Sequence, residues 1–110
     1  MELTRERALE LHRQMWSDMQ RDLGNNPYTL EREQYKHQWC QEHFPNERIR
    51  DDCFLCEYVR TEIFNGNCNY CPIEWDFNVC FVGGSVKKSY RNIPISELLA
   101  LPERKFDEVN

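Results

Sequence analysis

The apolar positions of the first quarter of the chain recur at helical spacing. Ala8, Leu11, Met15, Met19 and Leu23 fall every three or four residues with Trp16 beside them, which predicts an amphipathic helix over residues 4–23. Thr4 suits the N-cap, and Glu6 suits the positive end of the helix dipole. Gly24-Asn25-Asn26-Pro27 supplies the stop: a residue free to enter the left-handed region, then one that cannot continue a helix. A second helical pattern covers residues 29–43, entered through Thr29 and closed by Pro45-Asn46. On it Tyr35 and Trp39 are placed to stack one turn apart, and Cys40 and Phe44 form another such pair. The short linker makes the two a helical hairpin over residues 4–44.

The pattern then shortens. Leu55, Val59 and Ile63 share one face, so Glu57 to Phe64 is expected to be helical, with Asn65-Gly66-Asn67 as its breaker. Residues 77–90 alternate about Gly83-Gly84, which predicts a β-hairpin. With Val82 opposite Ser85, the residues Phe77, Val79, Phe81, Val86 and Tyr90 share the core face, with Lys88 at its edge. Cys80 then lies on the other face, beside Lys87. Ile95 to Leu101 predicts a short closing helix, capped by Ser96 and ended by Pro102, and residues 103–110 a frayed polar tail. The expected class is α+β in a single small domain: the helical hairpin, a metal segment at 51–75, the β-hairpin and closing helix at 77–102, and the tail.

The cysteines change the picture most. Cys53-x2-Cys56 and Cys68-x2-Cys71 have the spacing that lets each pair grip one tetrahedral ion, and together they predict a closed four-cysteine Zn2+ site. Four sulfur ligands leave no open position for water, so the ion is structural and not catalytic. The first pair falls at a helix start, where the dipole favours thiolates, and the second in a tight loop. Cys80 is the one residue that could replace a member of the set. In small folds such an ion contributes an apparent ~10–16 kcal/mol to folding, on the scale of a whole domain's stability. His37, Cys40 and His43 invite a second site, but the two histidines stand about 9 Å apart along a helix axis, so a thiol in the core with two polar histidines is the simpler reading.

Charge narrows the partners. The formal net charge is −5; four thiolates add four negative charges and the ion two positive ones, for about −7. An acidic chain suits a basic partner surface better than nucleic-acid phosphates. Aromatic residues make up 13% of the chain, which argues for a packed core despite a mean hydropathy of −0.83. The charged N-terminus Met1-Glu2-Leu3-Thr4-Arg5-Glu6-Arg7 carries no signal-peptide pattern, no stretch has the length of a membrane span, and paired cysteines read as ligands in a reducing compartment. A cytoplasmic protein is expected.

No residues match a catalytic pattern. Cys40 and Cys80 lack the context of an activated thiol, Asp51-Asp52 and Glu74/Asp76 suit solvated loops, and Gly83-Gly84-Ser85 lacks the lysine of a phosphate loop. The chain is expected to be no enzyme and to take no small-molecule substrate. Lys87, Lys88 and Arg91 with Tyr90 form a basic cluster that would let the hairpin lie along a phosphate backbone, although lysines also guard edge strands against aggregation.

The run Asp52-Cys53-Phe54-Leu55-Cys56-Glu57-Tyr58, followed by Cys68-x2-Cys71-Pro72-Ile73-Glu74-Trp75, resembles small proteins of Firmicutes phages and gut mobile elements. Ala8 to Trp16 is similar to their N-terminal helix, Ala-Leu-x-Leu-His-x-x-Met-Trp, and the likeness spans most of residues 7–80. The resemblance implies an accessory gene of a prophage or mobile element. It implies in turn a protein that binds a bacterial macromolecule, such as an anti-CRISPR-type inhibitor of a type II CRISPR nuclease with its guide RNA. Glu57, Glu62, Glu74 and Asp76 flank the metal segment and are the expected acidic face for that contact. The alternative is a zinc-stabilised nucleic-acid or transcription-associated module using Lys87, Lys88 and Arg91.

Overall fold

The computed structural model describes residues 2–49, 52–60, 71–73 and 93–104, and among these described residues four helices form. They are α1 (Arg5–Leu23), α2 (Thr29–His43), α3 (Phe54–Val59) and α4 (Ile95–Leu99). α1 is the hub, packing most extensively on α3, next on α4 and least on α2. Its start is fixed by Thr4, whose hydroxyl accepts the Arg7 N–H at 3.1 Å. Its end is fixed by Gly24, which takes a positive φ of 89° and donates its N–H to the Gln20 carbonyl.

The expected stripe on α1 is buried through Ala8, Leu11, Met15 and Met19, but Leu23 at its end is 40% exposed. Leu9, His12 and Trp16 widen the buried surface. A face that broad serves more than one neighbour: Phe54, Leu55 and Val59 of α3 join it in one core with Ile95 and Leu98 of α4. Each such side chain taken from water is worth ~1.5–3 kcal/mol.

α2 departs from the expected pairs. Its buried residues are Arg32, Lys36, Trp39 and Cys40, one helical face of which half is cationic. Arg32 Nε donates to the Pro27 carbonyl at 2.9 Å, and Lys36 Nζ lies 3.7 Å from Glu33 Oε1. Tyr35 and Trp39 do not stack on each other. The Tyr35 hydroxyl donates to Asp22 at 2.6 Å and Trp39 Nε1 to Asp18 at 2.9 Å, so both aromatics reach across to α1. The Trp39 ring stacks instead on His43, centroids 3.7 Å apart and planes 16° from parallel, and meets Phe54 edge-on at 5.6 Å. Phe44 closes the cluster, meeting Phe54 edge-on at 5.8 Å. Thr29 is the first residue of α2 and not its cap: Tyr28 holds that place, its N–H donating to Glu31 Oε1 at 2.9 Å.

α3 begins at Phe54, ahead of the expected Glu57, because Cys53 serves as its N-cap. Leu55 and Val59 are buried as the spacing predicts, and the helix closes at Arg60. α4 starts after Pro94, and Ser96 lies inside its first turn instead of capping it. The cap is supplied from the α1–α2 linker. Asn25 accepts the Ile95 N–H through its backbone carbonyl at 2.8 Å and the Ser96 N–H through its side chain at 2.7 Å.

The α+β expectation is corrected. The fold is mostly helical, and the described residues form no sheet. Their one extended pairing is an isolated antiparallel bridge between Ile73 and Glu103. Helix faces fill the described core around α1. The β-hairpin predicted at 77–90 lies outside the described residues. The tail boundary also moves: Glu103 and Arg104 are not frayed but bonded to α1 and to residues 71–73.

Candidate metal centre

Cys53 stands where the chain turns into α3, with extended φ −124° and ψ 111°. Its Sγ accepts the Cys56 N–H at 3.3 Å, which puts both thiols of the first pair at one helix start. Both residues are half-buried, and Cys40, Cys53, Cys56 and Cys71 are all reduced thiols. The turn into Cys53 is made by Asp52, which takes a positive φ of 51°, a conformation that Asp tolerates better than most residues. Its N–H donates to the Ile49 carbonyl, and its carboxylate lies 3.5 Å from His37 Nδ1.

The second pair is represented by Cys71 alone, since Cys68 lies outside the described residues, as does Cys80. Cys71 is buried, and its backbone is held firmly: Arg104 Nε donates to its carbonyl at 2.9 Å. The donor chemistry, reduced thiols with a preformed Cys-x2-Cys turn, fits a soft divalent ion. Among the described residues no group of three His, Cys, Asp or Glu side chains stands ready to hold one. Cys53 and Cys56 are thus the part of the predicted site that the structure brings together.

His37, Cys40 and His43 do not converge. His37 is exposed toward Asp52, while His43 lies flat on Trp39 with Nδ1 2.9 Å from the Trp39 carbonyl. Cys40 is buried, and its thiol is pushed up to about 12, by burial first and by the Asp52 charge second. A thiol so placed is a small hydrophobe, not a nucleophile. The remaining histidine, His12, is buried on α1, and burial, aided by Arg13 and Lys36, lowers it to about 3, so it is neutral at pH 7.

The expected acidic face loses one member. Glu57 points into the fold, its side chain 3% exposed, and accepts from Arg60 Nη1 at 3.1 Å. It presents no open carboxylate to a partner. Glu62, Glu74 and Asp76 lie outside the described residues, and so do Lys87, Lys88 and Arg91 of the alternative nucleic-acid contact.

Asp52 and Arg104 matter to the site, although the sequence reading put Asp52 in a solvated loop and Arg104 in a frayed tail. The acidic residue before Cys53 was a visible signal for a turn; nothing in the spacing after Pro102 marks Arg104. Among the described residues no helix is long and apolar enough to cross a membrane. Comparison with protein-family models, curated proteins and solved structures returned no match.

Proposed function

We propose that this chain is a metal-stapled binding protein, in which Cys53, Cys56, Cys68 and Cys71 hold a structural zinc ion and the folded surface engages a macromolecular partner without chemistry. The observation that carries this reading is the Cys53–Cys56 pair. Two reduced thiols share one helix start, and the first already accepts the N–H of the second at 3.3 Å. An ion with four sulfur ligands has no site for substrate, so its part is to tie segment 53–56 to segment 68–71. In a chain of 110 residues that tie adds folding energy that a small core lacks.

We take the partner to be a bacterial RNA-guided nuclease of the type II CRISPR class with its guide RNA, and the action to be inhibition in the host cytoplasm. The net charge of −5 supports this, since a nucleic-acid channel is basic and an acidic protein competes for it with phosphates. Glu57 is buried and takes no part, which leaves Glu62, Glu74 and Asp76 as the carboxylates to test.

Elemental analysis of protein purified without added metal is expected to find one zinc per chain, and a chelator is expected to lower the melting temperature. A pull-down with the nuclease–guide complex at low and moderate salt tests the partner; no retention at either removes that target. Mobility-shift titration on DNA and RNA is expected to show no binding. A shift with a steep negative salt slope, lost when Lys87, Lys88 and Arg91 are neutralised, overturns the inhibitor reading in favour of a nucleic-acid module.

A further inference from the structure

One arginine engages three successive carbonyls beside the second cysteine pair. Arg104 donates from Nε to Cys71 at 2.9 Å, from its backbone N–H to Pro72 at 2.7 Å, and from Nη2 to Ile73 at 3.4 Å. The segment that carries it is anchored in turn. Glu103 pairs with Ile73 in the antiparallel bridge, and its carboxylate accepts from Arg13 of α1 and lies 3.6 Å from Arg5 Nη1. Arg5 also donates to the Arg104 carbonyl, so α1 holds the strap 101–104 through two cations. Cys71 and Ile73 are both buried.

Such a device is more than the termination of a chain. A single exposed pair would hold nothing in place, but three donors on consecutive carbonyls fix the direction of the backbone from which a side chain leaves. We propose that Arg104 is the positioning residue of Cys71: it fixes where the Cys71 thiol stands and thereby sets how long the metal is retained. This rests on the zinc reading above. Outer contacts that orient a ligand residue typically change metal affinity by ~10–100-fold when removed.

The test compares the full-length wild type with Arg104→Ala, Arg104→Lys and Asn25→Ala. Asn25→Ala loosens α4, far in sequence from Cys71, and controls for general destabilisation. Two rates are read: alkylation of Cys71 by iodoacetamide in reduced, zinc-free protein, followed by peptide mass spectrometry, and zinc release to a chromogenic chelator. Arg104→Ala is expected to speed both by about tenfold or more. Arg104→Lys falls between, because one ammonium cannot span two carbonyls as the guanidinium fork does, and it preserves the test if the alanine variant fails to fold. Asn25→Ala is expected to melt earlier with Cys71 reactivity unchanged. Wild-type Cys71 reactivity in both Arg104 variants, or an equal rise in Asn25→Ala, overturns the proposal. A wild type that carries no metal removes the zinc reading by itself, and the alkylation rates still decide whether Arg104 places Cys71.

Discussion

Asn25 and Ser96 form a reciprocal pair: the Asn25 side-chain oxygen accepts the Ser96 N–H at 2.7 Å, and its amide nitrogen donates to the Ser96 hydroxyl at 3.1 Å. The same oxygen accepts from Gln20 Nε2 at 3.2 Å, so the linker that ends α1 is fastened to the start of α4. A five-residue helix is too short to persist alone, and its first N–H groups need a partner from elsewhere. The chain supplies that partner from 71 positions away.

Asn25→Ala is therefore expected to destabilise the protein by ~1–2 kcal/mol, the usual cost of a lost N-cap. Asn25→Asp keeps the acceptor and loses the donor to Ser96, and falls between. Urea unfolding followed by circular dichroism measures both; an alanine variant as stable as wild type would show that α4 is held without the Asn25 side chain, by the Asn25 backbone carbonyl with Ile95 and Leu98.

The neutral His12 makes the fold sensitive to acid. Its folded value of about 3 lies below the ordinary 6.5, so the unfolded state binds the proton more readily. The stabilisation is fully present above about 6.5 and is lost as pH falls toward 3, with a slope of ~1.4 kcal/mol per pH unit within the window. Asp22 is held low by Arg21 and Tyr35, and Glu103 by Arg13, and both add their own losses only at more acid pH. In metal-free protein, unfolding free energies between about pH 4.5 and 6.5 separate the histidine from those carboxylates. His12→Gln is expected to flatten the slope there; an unchanged slope would assign it elsewhere.

Cys40 is expected to be the slowest of the described thiols. With its thiol at about 12, only roughly one molecule in 10⁵ carries the thiolate at pH 7, and the side chain is buried. Timed alkylation of metal-free protein, read by mass spectrometry, should label Cys53 and Cys56 first. Early labelling of Cys40 would contradict the packing of α2 on Phe54.

Trp39→Phe tests the α1–α2 contact. The ring can still meet Phe54, but the bond from Nε1 to Asp18 at 2.9 Å is lost. The expected cost is about 0.5–1.5 kcal/mol, seen as a lower denaturant midpoint with an unchanged slope. A larger loss would mean that the stacking on His43 also depends on the indole.

The first helix was legible because its signals are local. A cap at Thr4, apolar residues every third or fourth position and a glycine stop act within a few residues, and the structure places α1 at Arg5–Leu23. The Cys53-x2-Cys56 spacing was legible for the same reason, since a sulfur and an N–H three residues on meet wherever a helix begins. What the alternating pattern at 77–90 promised was a class with a sheet, and the described fold is helical. Residues 77–90 themselves lie outside the described residues.

Local order alone determined where α1 and α2 form, and that Cys53 and Cys56 stand at one helix start. Only the folded chain decided that Arg32 and Lys36 face inward, that Glu57 is buried rather than offered to a partner, that Asn25 caps α4 and that Arg104 holds Cys71. Those arrangements join residues tens of positions apart. Their energies come from desolvation and hydrogen bonding between segments, and no periodicity along the chain encodes which distant donor will meet which carbonyl.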